Sequence, residues 1–198
     1  MGGQGKQAKI LSEAQIRAAL GYVQQTRYPL RDRVMILLSV KAGLRAKEIA
    51  CLTWSMVTDA EGAVAQSIEL TNDASKGKRG GRSIPLNVNL REALLALKAA
   101  RRDGAAPHRR VVHSERANGY SAAAMQVWFG RLYRKLGFVG ASSHSGRRTF
   151  ITRAAKKIIE AGGSLRDVQE LAGHASLATT QRYIQGDTEA KRKVMALI

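Results

Sequence analysis

Three observations predict an α+β domain, mainly α: a helical bundle carrying one small antiparallel sheet. Capped amphipathic segments recur along most of the chain. One stretch, residues 64–86, switches to short β-type runs around a Gly-rich basic turn. No internal repeat, low-complexity tract or linker divides the 198 residues into two domains.

The elements follow in order. Ser12 and Gln15 form a capping box ahead of an amphipathic helix. Pro29 breaks the chain, and Arg31–Leu44 reads as a second helix with Val34, Leu37, Leu38 and Ala42 on or near one face. A turn at Gly43–Arg45 leads to a short helix from Lys47 to Leu52. Val64, Ser67, Ile68 and Leu70, then Ser83, Ile84 and Leu86, mark two strands joined by the NDASKGKRGGR turn as a hairpin. Asn89 and Glu92 cap the next helix, residues 103–110 form a loop, and Val111–Ser114 form an extended piece. SAAAMQVWFGRLYRKL (121–136) is helical and stops at Gly137. Ser143 caps a helix from His144 to Ile159, Ser164 and Asp167 cap LRDVQELAG, Ser176 opens LATTQRYIQ, and Thr188 opens a last helix to Ile198. Residues 1–10 read as a flexible basic lead-in and 11–198 as the domain.

Charge narrows the function. Lys and Arg number 33 against 15 acids, a net of +18, an excess that costs self-repulsion and suits a polyanionic partner. Only 5% of residues are aromatic, which favours duplex backbone binding over a base-stacking platform for single strands. Nothing approaches eighteen uninterrupted apolar residues, so no membrane span is expected. The start MGGQGKQAKI has no apolar h-region, so no secretory signal is expected. Cys51 is alone and sits in an apolar run, which points to core rather than nucleophile. A reducing cytoplasm fits this usage.

Four motifs carry possible chemistry. In HSGRRTF, His144 and Arg147 are three apart at a helix start, where free N–H groups already favour an anion, and Arg147 can grip two phosphate oxygens at once. In LAGHASLATTQRYI, His174 lies in a Gly-led turn and Tyr183 follows nine residues later, with Leu171, Leu177 and Ile184 available to bury the flanks. In AGLRAKEIACLTW, Arg45 lies in a tight turn between apolar helices, and Glu48 is placed to orient it by a salt bridge. In SKGKRGGRSIPL, Lys76 or Lys78 at a hairpin tip can reach a DNA groove and donate a proton. Each motif alone also fits a solvated cation or a packing aromatic.

Together these residues resemble the tyrosine recombinase (phage integrase) family, catalytic domain. The resemblance runs from Leu11 to the C-terminus and fills six family positions in order: Arg45, Lys76, His144, Arg147, His174 and Tyr183. It implies that family's catalytic-domain fold and a site-specific recombinase or integrase that cuts and rejoins double-stranded DNA through a 3′-phosphotyrosine. Tyr183 is then the nucleophile, Arg45 and Arg147 hold the non-bridging oxygens, and His174 donates a further hydrogen bond to them. His144 assists proton removal, and Lys76 protonates the leaving 5′-oxygen, preferred over Lys78 because Gly77 matches the family pattern. Lys78, Arg79, Arg82 and Arg148 are the expected DNA contacts. No metal, cofactor or ATP is implied. The cation cluster supplies electrostatic stabilisation, and the covalent intermediate conserves the phosphodiester's energy.

Two departures stand out. Only about ten residues precede the first predicted helix, so the family's N-terminal core-binding domain is expected to be absent, with weakened DNA affinity. The hairpin also carries an extra glycine at Gly80–Gly81. The tail GDTEAKRKVMALI is expected to be an amphipathic helix through which protomers assemble into a tetramer on DNA, with packing in cis as the alternative. Cytoplasmic action at the nucleoid of a bacterial or phage-infected cell is the implied setting. A topoisomerase of the 3′-linked type and a DNA-binding regulator without turnover are the competing functions.

Overall fold

Local capping chemistry sets most element boundaries. In the computed structural model, which describes residues 8–74, 81–101, 105–114, 119–183 and 195, α1 (Glu13–Val23) opens with the expected box: Gln15 N–H donates to Ser12 Oγ, and Ser12 N–H donates to Gln15 Oε1. Helix α2 (Pro29–Lys41) starts two residues earlier than the sequence suggests. Pro29 occupies the first helical position, where its missing N–H costs nothing. The helix also stops short of Leu44, because Gly43 turns left-handed at φ 64° and Leu44 N–H folds back to the Leu38 carbonyl.

Helix α3 (Ala46–Cys51) and a 3₁₀ turn (Trp54–Met56) follow. Strands β1 (Ser67–Leu70) and β2 (Arg82–Pro85) pair antiparallel, with Ile68 opposite Ile84 and Leu70 opposite Arg82. Ile68, Leu70 and Ile84 point inward, and Glu69 on the other face accepts from Ser67 and Ser83. Helix α4 (Val88–Ala99) is capped by Asn87 rather than Asn89, which instead donates its own N–H to the Asn87 side chain. No strand forms at Val111–Ser114. Arg110 bridges Thr53, and Val111 N–H donates to the Leu52 carbonyl. Ser121 caps α5 (Ala122–Lys135).

The chain divides after Phe150 into two compact units, and the division falls inside α6 (Ser145–Lys157), with no linker at the boundary. In the first unit α2 packs against α1, α3 and α4, and α3 packs against α5. The expected one-faced α2 is therefore buried all round: Val34, Met35, Ile36, Leu37 and Leu38 all lie in the core with Trp54, Phe129 and Tyr133. Ala8–Ile10, expected within a flexible lead-in, are tied down: Lys9 N–H donates to the Gly140 carbonyl, and the next residue, Leu11, donates to Thr149 Oγ1.

The second unit holds α7 (Leu165–Ala172) and α8 (Leu177–Gln181), which pack together around Val168, Ala172 and Thr180. Asp167 accepts from Ser164 N–H at the start of α7, and Gly173 ends that helix at φ 60°. Leu177, expected to bury a flank, is exposed. The hairpin tip 75–80 lies outside the described residues, as does the helix expected from Thr188 except for Met195, which is helical and exposed. Among the described residues no helix is long and apolar enough to cross a membrane.

Candidate active site

Arg45 is positioned by a buried carboxylate. Glu48, one turn along, accepts Arg45 N–H at 2.7 Å on Oε2 and Arg45 Nη1 at 2.8 Å on Oε1. The same two oxygens accept Arg82 Nη2 and Nη1 at 3.1 and 3.0 Å, a two-pronged grip from β2. Burial pushes the Glu48 carboxyl up, but the hydrogen bonds and charges of Arg82 and Arg45 outweigh it and hold it below the ordinary carboxylate value. Arg82, expected to contact DNA, is thus a nearly buried ion-pair partner of Glu48. Its pairing joins positions 34 residues apart, which no local pattern announces.

At the start of α6 the paired residues of HSGRRTF differ in exposure. Ser142, not Ser143, organises the turn, accepting from His144 N–H and bonding through its own N–H to Ser145 Oγ. His144 is exposed, whereas Arg147 is buried and donates Nη1 to the Gly43 carbonyl at 2.7 Å. Gly43 has no room for a side chain here, because a Cβ would overlap the Phe150 ring. The turn that carries Arg45 therefore also seats Arg147, a link within the first unit that the sequence did not reveal. Gly146 lets α6 approach Ser39 and Val40 of α2 closely. Arg148, expected on DNA, donates Nη1 to the Ala8 carbonyl at 2.9 Å.

The second unit brings His174 and Tyr183 together. Their rings stack with centroids 5.5 Å apart and planes 18° apart. His174 is buried and Tyr183 half-exposed. Gln169 brackets the His174 backbone, accepting its N–H and donating Nε2 to its carbonyl. The imidazole Nδ1 lies 2.9 Å from Thr180 Oγ1, and Thr152 Oγ1 donates to the Tyr183 carbonyl. Thr152 had no role in the sequence reading, and Thr180 entered it only as a residue of the segment between His174 and Tyr183, with no partner assigned. The spacing of six between His174 and Thr180, one turn into α8, is the signal that was there to find.

Lys76, Lys78 and Arg79 fall in the hairpin tip outside the described residues. Among the described residues no group of three or more His, Cys, Asp or Glu side chains could hold a metal ion. A separate open concavity of about 550 Å³ is lined by His108, Arg109, Arg110, Gly119, Tyr120 and Ser121, a concentration of cations in the first unit.

The sequence matches the phage integrase family over residues 9–190. The chain belongs to this family. The tyrosine recombinase XerC of Xanthomonas campestris pv. campestris is 34% identical over 167 residues, covering 83% of this chain and 47% of its own length. The tyrosine recombinase XerA of Thermococcus kodakarensis is 29% identical over 187 residues, covering 93% of this chain and 61% of its own. This integrase-family chain spans about half the length of the XerC relatives it matches. Among solved structures, the Tn1549 transposon integrase in complex with a circular intermediate DNA superposes with TM-score 0.73 at 22% identity, covering 100% of this chain and 68% of that one. A crystal structure of XerA recombinase superposes with TM-score 0.72 at 23% identity, covering 95% and 64%. The fold is that of the tyrosine recombinase catalytic domain, mainly helical with a two-stranded antiparallel sheet, as expected.

Proposed function

We propose that residues 11–198 form the catalytic domain of a site-specific DNA recombinase that cleaves and rejoins double-stranded DNA through Tyr183. The observation that carries the reading is the half-exposed Tyr183 phenol stacked on the His174 imidazole, in a chain of the phage integrase family. In the proposed reaction Tyr183 Oη attacks the scissile phosphorus, the bond to the 5′-oxygen breaks, and a 3′-phosphotyrosine forms. A phenol ionises near pH 10 in water, so the attack needs a proton acceptor and a cationic setting. His144, exposed at the start of α6, takes the phenolic proton. Lys76 returns one to the departing 5′-oxygen.

Arg45 and Arg147 hold the non-bridging oxygens, where two guanidiniums match the charge that grows on the phosphorane. Both are already oriented before DNA arrives, by Glu48 and by the Gly43 carbonyl, so little reorganisation is needed as charge develops. His174 donates a further hydrogen bond. Running the steps backwards with a different 5′-hydroxyl rejoins the strand without ATP. Lys78, Arg79 and the basic concavity extend the positive surface toward the DNA backbone. Assembly into a tetramer on DNA through residues 186–198, and action at the nucleoid, complete the proposal.

The test uses a library of nicked duplexes with randomised sequence around the nick. Nicking lets the short 5′-hydroxyl strand diffuse away and traps the covalent state. After denaturation in SDS, the wild type is expected to carry a DNA adduct that Tyr183→Phe does not form, while both proteins retain DNA before denaturation. An adduct that survives in Tyr183→Phe, or its absence from the wild type despite DNA retention, would overturn the reading.

A further inference from the structure

We propose that Thr180 is a positioning residue that fixes the tautomer of His174, so that the imidazole presents Nε2–H, and not Nδ1–H, as its donor to the scissile phosphate. The function of that donor rests on the strand-cleavage reading above; the tautomer itself does not.

One buried hydroxyl hydrogen decides the tautomer. Thr180 is fully buried on α8, and its Oγ1 lies 2.9 Å from His174 Nδ1. Among the described residues no other partner of the Thr180 hydroxyl is found, neither the Ser176 carbonyl one turn back nor a side chain. A helical threonine hydroxyl commonly turns to the carbonyl four residues earlier. Here it turns to the imidazole. A hydroxyl has one hydrogen to give, and a buried hydrogen without an acceptor is costly. If Nδ1 carried a proton, Thr180 Oγ1 would have to accept it, and the hydroxyl hydrogen would be stranded in the core. That penalty falls on the Nδ1–H tautomer and on the imidazolium alike. Only the neutral ring with bare Nδ1 and protonated Nε2 satisfies both groups.

Two further contacts hold the ring in that pose. Gln169 pins the backbone of His174 on both its N–H and its carbonyl, directly after the left-handed Gly173 that ends α7. Tyr183 stacks on one face of the ring, at near-parallel planes. With Nδ1 held by Thr180, Nε2 lies on the opposite edge of the imidazole and carries the only donor the ring can offer a ligand. Thr180 thereby links the start of the LAGHASLATTQRYI segment to its tyrosine: the threonine sits three residues before Tyr183, and its carbonyl accepts the Tyr183 N–H at 3.0 Å. One side chain thus orients the donor while its own backbone seats the nucleophile.

The experiment is long-range ¹H–¹⁵N correlation of the histidine rings in the full chain at neutral pH, with His174 assigned by its loss in His174→Asn. The wild type is expected to show an unprotonated, pyridine-type Nδ1 and a protonated, pyrrole-type Nε2. Thr180→Ser keeps the hydroxyl and is expected to keep both the pattern and the rate of adduct formation on nicked duplex. Thr180→Val keeps the shape and removes the hydroxyl. It is expected to give a mixed tautomer signal and to slow adduct formation by about tenfold, a fraction of the roughly 10²–10³ that loss of a whole transition-state donor costs. Its fold is checked by amide spectra, and the wild-type ring spectrum stands whether or not that variant folds. A proton on Nδ1 in the wild type, alone or together with Nε2, overturns the proposal, as does an unchanged spectrum and rate in Thr180→Val. Absence of any wild-type adduct would instead overturn the strand-cleavage reading and with it the phosphate-donor role, while the ring spectrum still decides the tautomer.

Discussion

Replacing Glu48 by glutamine tests how the first unit holds two arginines in place. The carboxylate is completely buried and accepts four hydrogen bonds at 2.7–3.1 Å, two from Arg45 and two from Arg82. The Glu48→Gln substitution keeps the volume but loses the charge, and the new amide NH₂ would face a guanidinium that can only donate. Removing one partner of a buried ion pair typically costs about 3–5 kcal/mol. The Arg82 side chain is 11% exposed and Arg45 25%, so water screens part of the freed charge and the lower end applies, about 3 kcal/mol. For a chain of this size that lowers Tm by about 6–12 °C. The pH dependence has a definite sign. The folded Glu48 carboxyl ionises below its ordinary value of 4.5, so its contribution is fully present above that value and is lost as pH falls through the lower, folded one. Urea denaturation of both proteins should therefore give a constant gap between about pH 6 and 8 that shrinks in acid below about pH 4. A variant within about 1 kcal/mol of the wild type at neutral pH, or a gap that does not shrink in acid, would refute the reasoning.

Gly43→Ala should destabilise the first unit by about 2–5 kcal/mol, combining a left-handed backbone with a methyl forced onto Phe150. It should slow adduct formation as well, because the carbonyl that seats Arg147 moves; urea denaturation and the nicked-duplex assay read the two effects. Arg148→Gln should cost about 1–2 kcal/mol by releasing the Ala8 carbonyl while leaving the salt dependence of DNA binding unchanged. A fall of about 0.9 in the slope of log K against log salt, with stability intact, would instead make Arg148 a phosphate contact.

What could be read from the sequence follows the range of the interactions. The box at Ser12–Gln15 and the left-handed stop at Gly137 are settled by near neighbours in the chain, so local chemistry alone foretells them, whereas helical periodicity ran on through the left-handed Gly43 and Gly173. The His174–Tyr183 pair was legible for the same reason, since both rings ride on one short segment whose turn and helix bring them to 5.5 Å. Periodicity misjudged α2, because a pattern of 3.6 reports the most apolar face and is silent when neighbours cover every face. It also left Leu177 inside when it is exposed. The charged residues were hardest to assign. The sequence shows 33 cations as equivalents, and the fold makes them unequal: Arg82 is committed to Glu48, Arg148 to the Ala8 carbonyl, and Arg147 is turned inward onto Gly43. An excess of positive charge attracts a polyanion from a distance, but a guanidinium becomes useful to a transition state only when something fixes its direction. In this chain a buried carboxylate and a glycine carbonyl each hold one of the arginines that the proposed reaction uses. Both belong to the AGLRAKE segment, so the motif on which the family resemblance rests also orients the two arginines proposed to bind phosphate.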